Sequence, residues 1–476
     1  VAVAVAGSSM AFLDSTVLGI ALPDIGRDLD ADTTSLQWLT TGYLLSLVAF
    51  ILVGGALGDT YGRRKVYEIG AVVFCAASLL CAVAPGTTLL IAARVVQGVG
   101  AALLTPGSLA IVQATIRPED RARAIGAWSG LTGVASAIGP LVGGALIASV
   151  SWRSVFVLNL PIGLFTVLAG RRHVPETRDP DAVRHVDVLG AALVALGLAG
   201  VTFWLTGGVG GEGLAAAAGA VGAAALVAFL LVEARRVAPM LPLGLFRSRQ
   251  FSAGNAVTFL VYAAIGGFFF LFASFLQISL GYTPLEAGAA SSPVTLLMLL
   301  LSARSGAVSE RIGVRIPLSV GPVVVGLGLL WLSRVVPGDR YVTHVLPGVV
   351  VVAIGLVILV APITATVLTA AGDEHAGVGS GINNAVARMG GLVAVAVLPG
   401  VTGLTGDAFY VPSAMTDGFR DSMVICAVVA ALGGVLAWLT IRDARTAVEP
   451  EEVEGYCCPV ASPPLRRAGS TASSTT

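Results

Sequence analysis

The chain has 476 residues, 56% of them hydrophobic and 12% charged, with no net formal charge. Soluble domains carry about 25% charged residues, so a water-soluble particle of this size is excluded and a polytopic membrane protein is indicated. Neutrality leaves no electrostatic footprint for nucleic acid, and the length accommodates over a dozen spans of about 20 residues each.

Apolar runs bounded by charges and Gly/Pro breaks fall at 1–23, 34–57, 66–84, 87–114, 122–148, 154–170, 187–206, 214–232, 251–277, 284–303, 316–333, 345–370, 377–403 and 420–441. In lipid each must be a helix, because no water is present to satisfy open backbone groups. The first run begins at Val1 and reads as a span without its cytoplasmic lead. It is not a signal peptide, since it lacks a basic n-region and carries Asp14 mid-run. Basic residues concentrate in alternate connections, including Arg63, Arg64, Lys65, Arg117, Arg171, Arg172, Arg235, Arg236, Arg304, Arg311, Arg315 and Arg442. The opposite connections hold Arg27, Arg153, Arg334, Arg340 and Arg420. This bias places both termini in the cytoplasm. His173, His185, His344 and His375 fall in predicted loops, and the cysteines read as free thiols. The stretch 207–213 (GGVGGEG) follows no strand and reads as a flexible connector rather than a dinucleotide loop. Residues 446–476 are too polar to bury a core and are expected to be disordered.

One pattern recurs at a fixed offset. Gly55, Asp59, Gly62 and Arg64 reappear as Gly306, Glu310, Gly313 and Arg315, and Gly126, Gly130 and Gly139 reappear as Gly377, Gly381 and Gly390. The offset maps the second connection onto the tenth and the fifth span onto the thirteenth. Fourteen helices therefore divide as six, two and six. The expected division is a first six-helix bundle (1–170), a two-helix insert with flanking loops (171–250), a second six-helix bundle (251–445) and the tail (446–476).

Several polar groups stand out against this background. Asp14 is a carboxylate near mid-membrane, where a charge costs at least about 2.5 kcal/mol unless it meets a cavity or a partner. It is either a protonatable site or a structural hydrogen-bond acceptor. Arg94, in the stretch RVVQGVG with Gln97 and Gly98, needs an acceptor at the same depth; Asp14 is one candidate and backbone carbonyls are another. In Gly55–Lys65 the glycines permit a tight turn, and Asp59 can meet a helix N-terminus or an arginine of the other half. Gly126, Gly130 and Gly133 share a helix face that would let another helix approach closely, and Pro140 removes a backbone hydrogen bond. Span nine carries an aromatic row from Phe259 to Phe275 with Asn255, Tyr262 and Gln277, suited to bulky apolar cations. Gln97, Asn255, Tyr262, Asn383, Asn384 and Arg388 form the candidate substrate-cavity set. Arg388 has no carboxylate partner in its own half that the sequence identifies.

These stretches resemble the major facilitator superfamily, and within it the fourteen-helix drug:proton antiporter branch, over nearly the whole chain. The carriers are Leu13-Asp14-Ser15-Thr16 with Ala21-Leu22-Pro23, the Gly55–Lys65 loop, Arg94–Gln97-Gly98, Gly139-Pro140 with Gly143-Gly144, and Asn159-Leu160-Pro161. The resemblance implies an all-α major facilitator fold and proton coupling through Asp14 and Arg94. It implies a conformational latch built from Gly55, Asp59, Gly62, Arg63, Arg64, Glu310 and Arg311. Gly130, Gly139, Pro140, Gly143 and Gly144 correspond to the motif that marks antiporters. The implied function is proton-driven export of small amphipathic compounds (drugs, dyes or antibiotics) by a monomer in a bacterial cytoplasmic membrane, without a cofactor and with the proton gradient as energy source. The alternatives are an exporter dedicated to one metabolite or antibiotic, and a nutrient importer of the same fold. A membrane enzyme is disfavoured because the spans hold no histidine, no H-E-x-x-H and no paired carboxylates. The chain also lacks a Walker loop for an ATP-driven pump.

Overall fold

Each apolar run forms helix in the computed structural model, which describes residues 1–178, 187–207, 211–236, 239, 241–372 and 376–443. The expected tail, the middle of the 207–213 connector, His185 and His375 lie outside the described residues. The helices are α1 (Ala2–Asp28), α2 (Thr33–Tyr61), α3 (Arg63–Val83), α4 (Thr87–Thr115), α5 (Pro118–Ser149), α6 (Arg153–Val157), α7 (Asn159–His173) and α8 (Val188–Leu205). They continue as α9 (Glu212–Arg235), α10 (Arg249–Ile278), α11 (Pro284–Ile312), α12 (Arg315–Leu332), α13 (Leu346–Ala371), α14 (Ala376–Val401) and α15 (Pro412–Thr440). With α6 and α7 continuing one another, 14 helical stretches are long and apolar enough to cross a membrane, and no strand occurs among the described residues. The protein is a multi-pass membrane protein.

Several helices overrun their apolar runs. α1 continues through Pro23 to Asp28, α11 continues to Ile312, and α15 begins at Pro412. Arg304, Arg311 and Arg420 therefore sit on helices rather than in connections. His173 closes α7, and His344 lies in a π turn at Tyr341–Val345. Polar helix ends project past the hydrocarbon layer, so apolarity alone stops short of them.

Local chemistry sets the boundaries. Asp32 caps α2 by accepting from the Ser35 amide at 2.9 Å. Thr283 and Glu286 form a reciprocal capping box at the start of α11. Gly62 and Gly313, the matching positions of the repeated pattern, both take positive φ (117° and 87°) between paired helices. A side chain there would be strained, so glycine is what makes both turns short.

Residues Val1–Arg442 form one compact unit. Its packing follows a doubled scheme: α1 on α5 and α7, α2 on α4, and α3 on α4 and α7. Later in the chain α10 packs on α14 and α15, α11 on α13, and α12 on α13 and α15. α8 and α9 pack on each other, and α8 also touches α2 and α14. The two sets meet chiefly through α5 with α11 and α2 with α14.

Those meetings are tight at one end of the helices. Thr33 Oγ1 donates to the Gly406 carbonyl (2.8 Å), Gln37 Nε2 to that of Val395 (2.8 Å), and Gln277 Nε2 to that of Ile20 (2.9 Å). Tyr410 donates its hydroxyl to the Ala31 carbonyl at 2.5 Å. Burial pushes that hydroxyl up to about 12, so it remains a donor at neutral pH. A Cβ on Gly144 would stand 2.6 Å from the Pro284 carbonyl oxygen. At the other end, which carries Arg63, Arg64 and Lys65, a Cβ on Gly126 or Gly130 would meet nothing within 4 Å. The two sets are closed together at one end and apart at the basic end.

Candidate functional site

Asp14 lies inside the first set of helices, with its side chain fully buried. Its Oδ2 pairs with Arg94 Nη1 from α4. Its Oδ1 accepts from Gln97 Nε2 at 2.7 Å and from Asn159 Nδ2 of α7 at 3.1 Å. Gln97 and Asn159 also reach the Ser78 hydroxyl of α3, at 2.9 and 3.3 Å. Arg94 is equally committed: Nε donates to the Leu39 carbonyl of α2 (3.1 Å) and Nη1 to Gln97 Oε1 (2.6 Å). Its guanidinium also lies 4.4 Å from the centre of the Tyr43 ring. Arg94 and Gln97 can share one target because residues three apart lie on one face of a helix. Both roles considered for Arg94, carboxylate partner and carbonyl donor, are therefore occupied together.

The two charges compensate each other here, and neutral polar groups hold each of them besides. With Asp14 ionised, opposite charges neutralise each other in a dry site. Beside the carboxylate, Arg94 also holds the Leu39 carbonyl, the Gln97 oxygen and the Tyr43 ring face. Ser78, Asn159 and Tyr43 were not among the sequence candidates for this cluster. Asn159 carried the available signal, a lone amide between apolar runs.

At the basic end, Asp59 pairs with Arg63 at 2.8 Å, one helical turn on. Among the described residues it meets neither of the partners expected for it, a helix N-terminus or an arginine of the other half. The N-terminus of α3 is instead capped by Glu176, whose carboxylate accepts from the amides of Arg64 (3.1 Å) and Lys65 (3.2 Å). Arg64 donates to the Val174 carbonyl after α7 (3.0 Å), and the matching Arg315 donates to the Trp438 carbonyl of α15 (2.8 Å). Gly55 faces Pro106 of α4. Arg311 is exposed, and the side chain of Glu310 lies outside the described residues. Separation of the two helix sets at this end is the physical reason that Asp59 finds only a local partner.

The glycine face of α5 also differs from expectation. Gly126 and Gly130 approach nothing and Gly133 faces only Leu299, whereas Gly139 abuts Thr16 and Leu13, Gly143 abuts Val17, and Gly144 abuts Pro284 and Leu285. The carbonyl of Pro140 lies against Gly288 of α11. Close approach therefore falls at Gly139–Gly144, where the helix sets converge.

The candidate cavity set splits. Gln97 is buried in the Asp14 cluster. Asn383 donates to Asn255 (3.3 Å) and Thr258 (2.9 Å), tying α14 to α10. These amides satisfy one another, as buried polar groups must. Phe268, Phe270, Phe272 and Phe275 are core rather than wall, while Phe269 is exposed. Asn384, Tyr262 and Arg388 keep open surface.

The Major Facilitator Superfamily profile matches residues 4–395. A "probable actinorhodin transporter" of Streptomyces coelicolor is 35% identical over 402 residues, 82% of this chain and 69% of that one. The "tetracenomycin C resistance and export protein" of Streptomyces glaucescens is 34% identical, with 82% and 73% covered. A "methylenomycin A resistance protein" of Streptomyces coelicolor is 34% identical over 93% of this chain and 92% of its own. Among solved structures, a D-xylose–proton symporter superposes with a TM-score of 0.67 at 14% identity, covering 93% and 97%. The xylose transporter of E. coli, in an inward open conformation, gives 0.64 at 13% identity, covering 94% and 96%.

Proposed function

This chain belongs to the Major Facilitator Superfamily, and we propose that it is a proton-coupled exporter of small amphipathic organic compounds. The observation that carries this reading is the buried Asp14–Arg94 pair, a titratable carboxylate at membrane depth whose partner can be held by neutral groups when Asp14 takes a proton. Relatives named for antibiotic export and resistance support the direction of transport. In this reading the Gly139–Gly144 motif, which packs closely on α1 and α11, sets how the helix sets separate at the closed end.

In this reading the helices divide as six, two and six, a division supported by the doubled packing scheme. The two sets rock about a central site so that it opens alternately to each side. The basic end and both termini face the cytoplasm of a bacterial cell, and the described state is the one open inward. Asp59, Arg63 and Arg64, with the second copy at Glu310 and Arg311, form the latch engaged when that end closes. The protein works as a monomer, needs no cofactor and performs no covalent chemistry; the proton gradient supplies the energy.

The test is efflux from cells expressing the chain, using ethidium as a cationic probe and fluorescein as an anionic one. The expected result is uncoupler-sensitive extrusion of at least one dye, lost in Asp14→Asn at matched expression. Extrusion that persists in Asp14→Asn makes Asp14 structural. Movement of neither dye overturns a broad substrate range. It favours the second reading, a dedicated exporter, which the single-antibiotic names of two relatives support.

A further inference from the structure

Arg388 is a cation inside the protein without a counter-charge among the described residues. Its place follows from the register of α14 against α2. Gly381 packs on Leu52, and the Val395 carbonyl accepts from Gln37. Residues seven apart lie on one helix face, so Arg388 stands midway between these contacts, facing α2 near Tyr43. On its other side Gly391 touches the Tyr262 backbone of α10. Tyr43 and Tyr262 are the titratable groups that neighbour the guanidinium. Its Nε is buried while the side chain as a whole keeps some exposure, which fits a place against an internal space.

Among the described residues no carboxylate reaches it. Asp14 is held by Arg94, Asp59 by Arg63, Glu68 by Arg64 and Arg171, Asp28 by Arg153, and Asp187 by Arg236. The Arg388 Nε is buried without a hydrogen-bond partner, and so is the Tyr43 hydroxyl beside it. An unpaired charge and an unsatisfied donor at this depth are both costly. Two donors left open at one place fit an acceptor brought from outside.

We propose that Arg388, with the hydroxyls of Tyr43 and Tyr262, binds the acidic group of a small aromatic substrate, a carboxylate or an ionised phenol. The proposal rests on the exporter reading and names its substrate class. The guanidinium supplies charge and a bidentate fork for the acid oxygens. The partly exposed ring of Tyr262 provides an apolar face for the rest of the molecule. Tyr43 carries Arg94 on its ring face, so one side chain borders both the anion site and the proton site. A bulky cation, the class suggested by the aromatic row of span nine, would meet like charge here.

The test is equilibrium binding of fluorescein to the purified full-length chain in detergent, by fluorescence polarisation at about 0.15 M salt. Arg388→Gln should weaken binding at least about tenfold, the scale of losing a charged hydrogen bond. Arg388→Lys keeps the charge but loses the fork, and should weaken binding less than Arg388→Gln does. Tyr43→Phe should weaken it several-fold. An unchanged thermal melt and a monodisperse profile for each variant establish folding. Failure of the native chain to bind fluorescein, or equal binding by Arg388→Gln, overturns the site. Arg388-dependent binding without gradient-driven efflux keeps the site and rejects the exporter reading. Proton-driven ethidium efflux without fluorescein binding does the reverse.

Discussion

Asp14 and Arg94 share a site from which water is excluded, and that condition sets their energetics. Breaking one side of a buried ion pair costs about 3–5 kcal/mol, whereas neutral groups of similar shape in both places cost far less. Arg94→Ala should therefore lower the melting temperature of the purified chain more than the double variant Asp14→Asn with Arg94→Gln. A double variant at least as unstable as Arg94→Ala would show that the network holds more than charge. Asn159 donates to the carboxylate Oδ1, and Ser78 accepts from Asn159 and Gln97 and so holds both amides in place. They were missed because an isolated amide or hydroxyl in a span reads as ordinary helix packing. Asp14 and Arg94 were visible because charge at membrane depth is rare.

At the scale of helices, small residues decide how closely neighbours pack. A Cβ on Gly100 would lie 2.7 Å from the Phe74 amide nitrogen, so α3 and α4 touch backbone to backbone. α5 uses the same device between the two sets of helices, but only in its second half, where Gly144 meets Pro284 and Leu285. Gly144→Leu should therefore spring the closed end, while Gly126→Leu, with open space around it, should leave this conformation intact. The reporter is a single cysteine at Thr33 in a cysteine-free background, since Thr33 is 1% exposed beneath the closure. Labelling by a membrane-impermeant maleimide should rise several-fold with Gly144→Leu and stay near baseline with Gly126→Leu. Equal labelling in both would detach the motif from the gate.

For the molecule as a whole, the proposed cycle makes the described state one extreme of a rocking motion. Spin labels at Val150 and Leu285 report the closed end, and labels at Tyr61 and Ile312 the open one; all four positions are exposed. On acidification or substrate addition, double electron–electron resonance should show the first distance lengthening as the second shortens. Both distances changing together would exclude rocking about a central site. The pair α8 and α9 touches both sets chiefly through α8, so it can move with either.

Hydropathy is a property of each stretch by itself, so the sequence alone determined the membrane class, the fourteen spans and the repeated motifs. The same local reading failed at helix ends such as Asp28, Ile312 and Pro412, where polar residues extend the helix into water. Only the tertiary structure decided partnership. Asp14 meets Asn159 across 145 residues, and Glu176, rather than Asp59, caps α3. The separation of the basic end leaves Gly126 and Gly130 uncovered. Partners of this kind depend on which helix faces converge at a common depth, and that is a property of the assembled bundle rather than of any one span.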